Sequence, residues 1–549
     1  MVPCRARGYD SSVDSLVATR AEARALLDAL RARDPAAVVR LRTHHPRFQP
    51  GGAGEDAATP DLRDAELVVA RERGVSSWPR WRRFAEARQL DAAGRAGELL
   101  RAVCGGDMVH ATMLLDAEPD LARFDLSTAC ALGEVDHVDA ALARDPSSAT
   151  RPGGSLDRAP ILYACFSRFL RRDPARRDGI VRIVRSLLAH GADADSHYFE
   201  SDDGTSIQTC LYAAAGIAND AELTRMLLDA GADVNECVPD PGAAEDAGPL
   251  GTEALYHASE WTDVTCLRLL LEARPPLHPA RVSYCLARML DFENPAGVRL
   301  YLSHGADPDL RIPWMAHRTH LHRAIAYGRS LEIVRLLVEA GADVEARDDI
   351  DMTPIRYAVR HGRDDIVEML RAAGADAAAV SDEDRRIGAV IRGEARATAP
   401  AGGHASEFED RDLLALAAAR NDVALVRRIL AAGADPNTPI GGTEAMPPLH
   451  WACWRGQRDA ARALLDAGAD VHQRNRYGGD ALGTTMHGSL NCHDVLGGPT
   501  TRLPDEIAHG DYPGMVEMLI AAGAPLPEHV AGGDAVAETL RRHGVKDTE

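Results

Sequence analysis

The chain has 549 residues, and its 62 lysine and arginine residues against 83 aspartate and glutamate residues give a formal net charge of −21. This acidic balance argues against general nucleic-acid binding, because a phosphate backbone would be repelled. No segment reaches the apolar length of a membrane span, and the N-terminus lacks the apolar core of a signal peptide. We therefore expect a cytoplasmic monomer that binds neither nucleic acid nor membrane.

The N-terminal part of the chain is predicted to be helical over residues 15–92, after a disordered segment at 1–14. Two short helices fit residues 15–47, because apolar side chains recur there at helical spacing. A third helix fits residues 62–73, after a loop rich in glycine, alanine and proline.

A fourth helix is predicted from Ser77, whose hydroxyl is suited to capping it, with Pro79 tolerated in its first turn. Five further residues give this helix a basic and aromatic character: Arg80, Trp81, Arg82, Arg83 and Arg88. One interpretation is a surface for nucleic acid or an acidic partner. The other, which a short run of charges usually favours, is a solvated helix face.

A Gly-Ala-Asp phrase that follows a leucine-rich run recurs along the rest of the chain. The phrase begins at Gly191, Gly231, Gly305, Gly341, Gly374, Gly433 and Gly468, with a degenerate copy at Gly523. Gly341 and Gly374 are 33 residues apart, and Gly433 and Gly468 are 35 apart. Periods of this size are typical of stacked helical repeats.

The repeats are predicted over residues 96–380 and 405–545, the second stack including a C-terminal cap. The span 381–404 breaks their rhythm. Within it, 382–394 fits a lone helix, and the Ala-, Pro- and Gly-rich residues that follow fit a flexible linker. We expect a hinge or a sub-domain boundary there.

The clearest unit shows how the repeat is built. Thr353 can cap a helix, and Pro354 suits its first position. A turn at Gly362 leads to a second helix, which stops at Gly374 because glycine accepts a left-handed backbone cheaply. Asp376 lies in the next turn, where its side chain can bond its own backbone.

These strings resemble the ankyrin repeat. The resemblance is carried by Thr353–Arg356, Thr319–His322 and Pro447–Ala452, and by endings such as Leu227–Asn235. It covers roughly residues 96–545. It implies an all-α ankyrin-repeat solenoid of stacked helix-turn-helix units, used to bind other proteins.

The resemblance assigns further roles. His322 and His450 match the family's structural histidine, whose imidazole bonds turn backbone between repeats. The N-terminal strings Ala70–Glu72 and Ser77–Arg80 look like a leader found ahead of some bacterial ankyrin-repeat proteins.

The family's concave face implies the candidate binding residues. In ankyrin proteins this face is lined by the two residues before the glycine between the helices, or before the residue that replaces this glycine. The matching positions of interest are Phe166, Glu260, Trp261, Tyr327, Arg360, His361, Arg420, Trp454 and Arg455. Exposed aromatic and arginine side chains are typical of binding hot spots. The alternative is that the aromatic side chains pack against the next repeat.

Other candidate chemistry is weaker. His487, Cys492, His493, Asp494 and His509 fall in the insert at 475–512, but their spacing matches no tetrahedral zinc framework, so no metal or cofactor is expected. No phosphate loop, dinucleotide fingerprint or serine-nucleophile elbow occurs.

Two further residue sets stand out: a basic insert and a group of cysteines. The basic insert at 168–177 fits either an acidic or phosphate ligand or a solvated loop. Four cysteines share one small core position in their repeats, which predicts reduced core thiols: Cys104, Cys130, Cys165 and Cys453.

The sequence therefore predicts a non-enzymatic scaffold or adaptor that binds an unidentified protein on its concave face. An enzyme or toxin-associated protein is the alternative, with its activity in the N-terminal region or in the 475–512 insert. A regulatory partner of a neighbouring gene product is a third hypothesis.

Overall fold

The structure, a computed structural model, is all-helical apart from one short strand pair in the part of the chain that it describes. The described residues are 15–53, 59–200, 207–235, 253–311, 317–394, 411–438, 446–492 and 510–548. They form two compact units. Unit 1 comprises residues 1–258, 265–277 and 541–549, and unit 2 comprises residues 259–264 and 278–540.

The helices follow one another in pairs after the N-terminal region. Up to residue 277 they are α1 Leu16–Arg31, α2 Pro35–His44, α3 Leu62–Glu72, α4 Trp78–Ala87, α5 Ala92–Gly105, α6 Met108–Ala117, α7 Leu126–Leu132, α8 Val135–Arg144, α9 Pro160–Cys165, α10 Phe169–Arg172, α11 Pro174–Ala189, α12 Ala221–Asp229, α13 Glu253–Ala258 and α14 Thr265–Leu271. From residue 278 they are α15 Pro279–Met289, α16 Pro295–Ser303, α17 His320–Ala326, α18 Leu331–Glu339, α19 Pro354–Arg360, α20 Asp364–Ala372, α21 Asp382–Arg392, α22 Arg411–Ala419, α23 Val423–Ala431, α24 Pro448–Trp454, α25 Arg458–Asp466, α26 Ala481–Asn491, α27 Tyr512–Ala521 and α28 Asp534–Arg542.

Short elements complete the fold. Strands β1 His197–Phe199 and β2 Ile207–Thr209 pair antiparallel. A π-helix, Tyr212–Ala218, precedes α12 where the sequence predicts an α-helix. The short 3₁₀ helices are Pro46–Phe48, Pro119–Arg123, Pro146–Ala149 and Ala377–Ala379.

Each Gly-Ala-Asp phrase ends the second helix of a pair in the predicted left-handed conformation. The φ angles of the repeat glycines run from +83° at Gly305 to +104° at Gly374. The following N–H bonds back to the helix, as when Ala342 donates to the Leu337 carbonyl at 3.1 Å. A Cβ on Gly341 or Gly374 would meet no atom within 4 Å. Backbone conformation, and not crowding, therefore selects glycine here.

The aspartate of each phrase bonds its own turn, as predicted. In all seven phrases its Oδ1 accepts the N–H of the residue two positions later, at 2.8 to 3.0 Å. Asp376, for example, accepts from Ala378 at 2.8 Å. This Asx turn redirects the chain toward the next repeat.

A second contact, which the sequence analysis missed, joins successive turns into a ladder. The side chain two positions after the aspartate accepts the aspartate N–H of the next repeat. In unit 1 Asp195 accepts from Asp233 at 2.6 Å. In unit 2 Asp309 accepts from Asp343 at 2.9 Å, Glu345 from Asp376 at 2.6 Å, and Asn437 from Asp470 at 2.7 Å. The polar residue at this position therefore holds one repeat to the next.

The structural histidines are confirmed. His322 Nε2 donates to the Met352 carbonyl at 3.0 Å, while its Nδ1 accepts from the Thr319 hydroxyl at 2.9 Å. His450 Nε2 bonds the Gln473 carbonyl at 3.0 Å. Burial lowers the pKa of His322 to about 4, so the ring is neutral at pH 7.

The capping role predicted for Thr353 is wrong. Thr319 closes a capping box on α17 with His322, but the buried Thr353 hydroxyl finds no hydrogen-bond partner among the described residues. The Arg356 N–H, which the cap would accept, bonds the Thr353 carbonyl at 3.1 Å instead, and the Arg356 side chain turns to Asp384 at 2.8 Å. The proline at the first position of α19 remains as predicted.

The N-terminal helices of unit 1 form a small core of their own. Trp81 is fully buried, and its indole Nε1 donates to Thr19 at 3.3 Å. It is therefore no part of a basic surface. Ser77 occupies the cap position of α4 but makes no side-chain cap bond, so that prediction is also wrong. The C-terminal residues of unit 1 return to this region, where Lys546 pairs with Asp61.

The remaining structural predictions concern the thiols and the interrupted stack. The eight described cysteines, the four predicted core thiols among them, are all buried and free. Burial raises the pKa of Cys104 and Cys453 to about 12. In the 381–404 break the structure places α21, whereas the predicted linker and the 1–14 segment lie outside the described residues. No helix of the described chain is long and apolar enough to cross a membrane.

Candidate functional site

Three of the nine predicted binding residues are buried, and their predicted exposure is wrong. Phe166, Glu260 and Trp261 are only 2%, 2% and 5% exposed. In unit 1, Phe166 packs edge-on against Tyr198 at 5.1 Å, because strand β1 covers it. The packing alternative therefore holds for the aromatic residues of this set.

Glu260 and Trp261 are held inside unit 2. Arg288 donates to Glu260 at 2.7 Å and to Asp291 at 2.8 Å. Asn294 donates to the Trp261 carbonyl at 3.2 Å. These contacts bind the loop at 259–264 to α15 and α16.

Asp291 continues this chain of charges to α17. Arg323 bonds Asp291 and lies over the ring of Tyr327, with its guanidinium carbon 4.8 Å from the ring centroid. Glu260, Arg288, Asp291, Arg323 and Tyr327 thus form one continuous network in unit 2. Its arginines have carboxylate partners, so the charges of this largely buried network are balanced.

The next cation in line is not satisfied in this way. Arg420 follows α22, is exposed, and donates from Nη2 to the carbonyls of Tyr327 at 2.6 Å and Gly328 at 3.2 Å. Arg329 donates to the same Tyr327 carbonyl at 2.8 Å. Among the described residues no carboxylate lies within 4 Å of the Arg420 guanidinium. Although the residue as a whole is exposed, the partial enclosure of its guanidinium, followed by the charges of Arg455 and Arg363, lowers the pKa of Arg420.

Gly328 makes room for this arginine. Its φ is +60°, and a Cβ there would lie 2.6 Å from two guanidinium nitrogens of Arg420. The guanidinium also borders a recess of about 90 Å³, together with His361 and Arg363. The structure therefore brings Tyr327, His361 and Arg420, three of the predicted residues, to one place.

Arg360 is committed to a structural pair. Its Nε donates to Asp384 Oδ1 at 2.5 Å, and Arg356 donates to Oδ2 at 2.8 Å. The Asp384 side chain is fully buried and also receives the Ser381 N–H at 2.9 Å. Although burial alone would raise it, these donors hold the pKa of Asp384 at about 2. Arg360 therefore fastens α21 onto α19.

Trp454 and Arg455 are half-buried at the end of α24. The Trp454 ring lies 5.2 Å from the His487 ring, and the Trp454 carbonyl accepts from the Tyr512 hydroxyl at 2.8 Å. Burial lowers the pKa of Arg455. These two residues keep part of their surface accessible, unlike Phe166.

The alternative sites receive no support from their described parts. Cys492 is buried and His487 stacks on Trp454, whereas 493–509, with the other three predicted residues, lies outside the described chain. Within the described residues no group of three histidine, cysteine, aspartate or glutamate side chains is placed to hold a metal ion.

The basic insert of unit 1 is used for packing. Arg176 donates to the Leu132 carbonyl at 2.7 Å, and Arg177 donates to Asp220 at 2.7 and 3.0 Å. Phe169 and Leu170 between the arginines are buried. These two arginines therefore tie α11 to its neighbours, which neither sequence interpretation foresaw.

Comparison with known proteins gives the repeats their family. A model of three ankyrin repeats matches residues 286–380 and 397–475, and a single-repeat model matches 208–238. Over 344 residues the chain is 24% identical to E3 ubiquitin-protein ligase KEG of Arabidopsis thaliana, covering 53% of this chain and 19% of that protein.

Two shorter matches agree. Over 174 residues the chain is 25% identical to Rabankyrin-5 of Mus musculus, covering 29% of this chain and 14% of that protein. Over 63 residues it is 43% identical to protein phosphatase 1 regulatory subunit 27 of Homo sapiens, covering 12% and 40%. The chain thus spans at most 40% of these relatives' lengths. Residues 208–238, 286–380 and 397–475 are ankyrin repeats, and the fold class is an all-α ankyrin-repeat solenoid.

Proposed function

We propose that the protein is a non-enzymatic scaffold whose protein partner binds unit 2 at Tyr327, His361, Arg420, Trp454 and Arg455. The observation that carries the proposal is the partial exposure of these five side chains at the ends of first helices. Aromatic and arginine side chains that keep an accessible face are typical hot-spot residues. Phe166, Glu260, Trp261 and Arg360 are left out, because the fold uses them internally.

The comparisons support an interaction role in general terms. One relative is by name a regulatory subunit of a phosphatase. Another is by name a ubiquitin ligase, but this chain covers only 19% of it, so the ligase activity is not carried over. We also propose a monomer in the cytoplasm without cofactor or metal. The bacterial character of the N-terminal region stays a prediction.

Quantitative co-purification from cell lysate tests the surface. A Tyr327→Ala/Trp454→Ala double variant is compared with wild type and with Phe124→Ala, which removes an aromatic side chain 42% exposed in unit 1. We expect the double variant to lose most of the partners and Phe124→Ala to retain them.

Two results would count against the proposal. Equal partner sets for all three proteins would exclude this surface. No co-purifying protein with wild type would exclude the scaffold role itself.

A further inference from the structure

The recess beside Arg420 combines unequal charges with an apolar wall. Arg420, Arg363 and His361 border it on the polar side, and Asp422 is the one acidic residue that lines it among those the structure describes. Leu413 and other side chains of α22 supply the apolar wall. All of these residues belong to unit 2.

Most of the charges around the recess already have partners. Asp422 accepts the Leu425 N–H at 2.9 Å, so its carboxylate caps α23. Arg363 donates two hydrogen bonds to the carboxylate of Asp365, at 3.0 and 2.8 Å. Arg420 alone among these three donates only to neutral carbonyl oxygens. Its positive charge therefore borders the recess without a paired carboxylate, since Glu293 and Asp422 attract it only from beyond ion-pair distance.

A second feature suits the same place to a peptide. Leu416 and Ala419 on α22 are buried, and the partly buried rings of Tyr327 and Trp451 pack against them. Because Leu416 also lines the recess, these two rings pack against part of its apolar wall. A peptide with an apolar residue beside an acidic one matches both parts of this surface.

We propose that the Arg420 recess binds the carboxylate of an acidic residue in the partner, with a neighbouring apolar residue on Tyr327 and Trp451. This inference rests on the proposed scaffold function and names the partner's chemistry. A carboxylate pairs with guanidinium in a charge-assisted hydrogen bond. A recess of about 90 Å³ admits one such group. The net charge of −21 disfavours an extended polyanion such as a nucleic acid.

A double-mutant cycle tests the pairing. Random peptides displayed on phage are selected on the full-length protein, and the tightest binder is synthesised with its acidic residue intact and as the amide. Each peptide is titrated against wild type, Arg420→Gln, Arg420→Lys and Arg427→Gln. Arg427 is the matched control, since it is exposed on neighbouring α23 and does not border the recess.

The expected result is coupling between the two charges. Arg420→Gln and the amide peptide should each weaken binding about tenfold or more, and together no further, because both remove the same pair. Arg420→Lys should retain part of the affinity, and Arg427→Gln all of it. Thermal melting checks that each variant is folded.

Other results would overturn the inference. Selected peptides without a preferred acidic residue, or additive effects of the two changes, would exclude the carboxylate site while leaving the scaffold function standing. If no peptide binds wild type while proteins still co-purify, a short acidic segment is not the ligand. If neither occurs, the proposed function fails first.

Discussion

Arg360 and Arg420 lie one position apart in the repeat frame, at the ends of the first helices of two repeats of unit 2, yet their surroundings differ completely. Arg360 ends α19 and meets the buried carboxylate of Asp384 at 2.5 Å. Arg420 follows α22 and meets only the carbonyls of Tyr327 and Gly328. The helix stacked next to each arginine decides its role. A carboxylate makes the first a structural residue, and the lack of one leaves the second available for a ligand.

The largest expected effect is at Asp384. Changing Asp384→Asn leaves Arg356 and Arg360 without their carboxylate in a poorly hydrated site, which should cost about 3 kcal/mol or more. Urea unfolding, followed by far-ultraviolet circular dichroism, measures the loss. Asp382→Asn on the same helix is the control, because Asp382 is fully exposed. Equal stability of the two variants would erase the distinction between Arg360 and Arg420.

The second largest effect should come from acidification, because protonation of the buried histidines destabilises the folded protein. Burial lowers the pKa of His322 to about 4 and that of His320 to about 3, below the ordinary value of 6.5. The unfolded chain then binds more protons than the folded one between these values, so stability is complete above pH 6.5 and falls with decreasing pH. The protonation of His322 alone should lower the free energy of unfolding by about 2 kcal/mol between pH 7 and pH 5.

Unfolding at several pH values measures this slope. His322→Gln should flatten it, whereas His472→Gln, which changes an exposed histidine, should leave it as in wild type. The same slope in all three proteins would contradict a neutral buried His322.

The ladder between turns should give a smaller effect. Asp309→Ala removes the acceptor of the Asp343 N–H, and water can replace it at this exposed turn, so the cost should be about 1 kcal/mol or less. Asp309→Asn keeps an acceptor for the N–H and removes the negative charge. Burial already disfavours this charge, since it raises the pKa of Asp309. It should be as stable as wild type at pH 7. A larger loss for asparagine than for alanine in urea unfolding would refute the ladder.

The smallest effect on stability should be at Arg420. Arg420→Gln should change the unfolding free energy by no more than about 0.5 kcal/mol, since the side chain is exposed and has no carboxylate partner. Arg420→Gln should therefore lose far less unfolding free energy than Asp384→Asn. A loss as large as that of Asp384→Asn would make Arg420 a structural residue too.

Local sequence chemistry predicted the repeat frame well. The period, the left-handed glycines and the Asx turns all depend on residues close in the chain. The roles of His322 and His450, whose carbonyl partners lie in the following turn, came from the resemblance to the ankyrin repeat. The same reasoning missed contacts that the next repeat supplies. The residues next to Arg360 do not indicate its contact with Asp384, and those next to Asp309 do not indicate its contact with the Asp343 N–H. Each partner lies one repeat away.

The candidate surface was predicted only in part for the same reason. The motif places Trp261 and Trp454 alike near the end of a first helix, but their burial depends on the elements packed beside them. The capping box of Thr319 is absent at Thr353, where the Arg356 N–H bonds the Thr353 carbonyl and the Arg356 side chain bonds Asp384 of the next helix. Exposure is thus a property of neighbouring repeats, which the motif does not encode.

Site-specific photo-crosslinking in cells can detect a protein partner bound at the Tyr327–Arg420 surface. A photoreactive phenylalanine analogue is placed at Tyr327 in one protein and at Phe124 of unit 1 in another, since both positions already hold an aromatic ring. We expect a covalent adduct with another protein from position 327, weakened by Arg420→Gln, and no adduct of that mass from position 124. Adducts from position 124 alone, or from neither position, would contradict binding at the Tyr327–Arg420 surface.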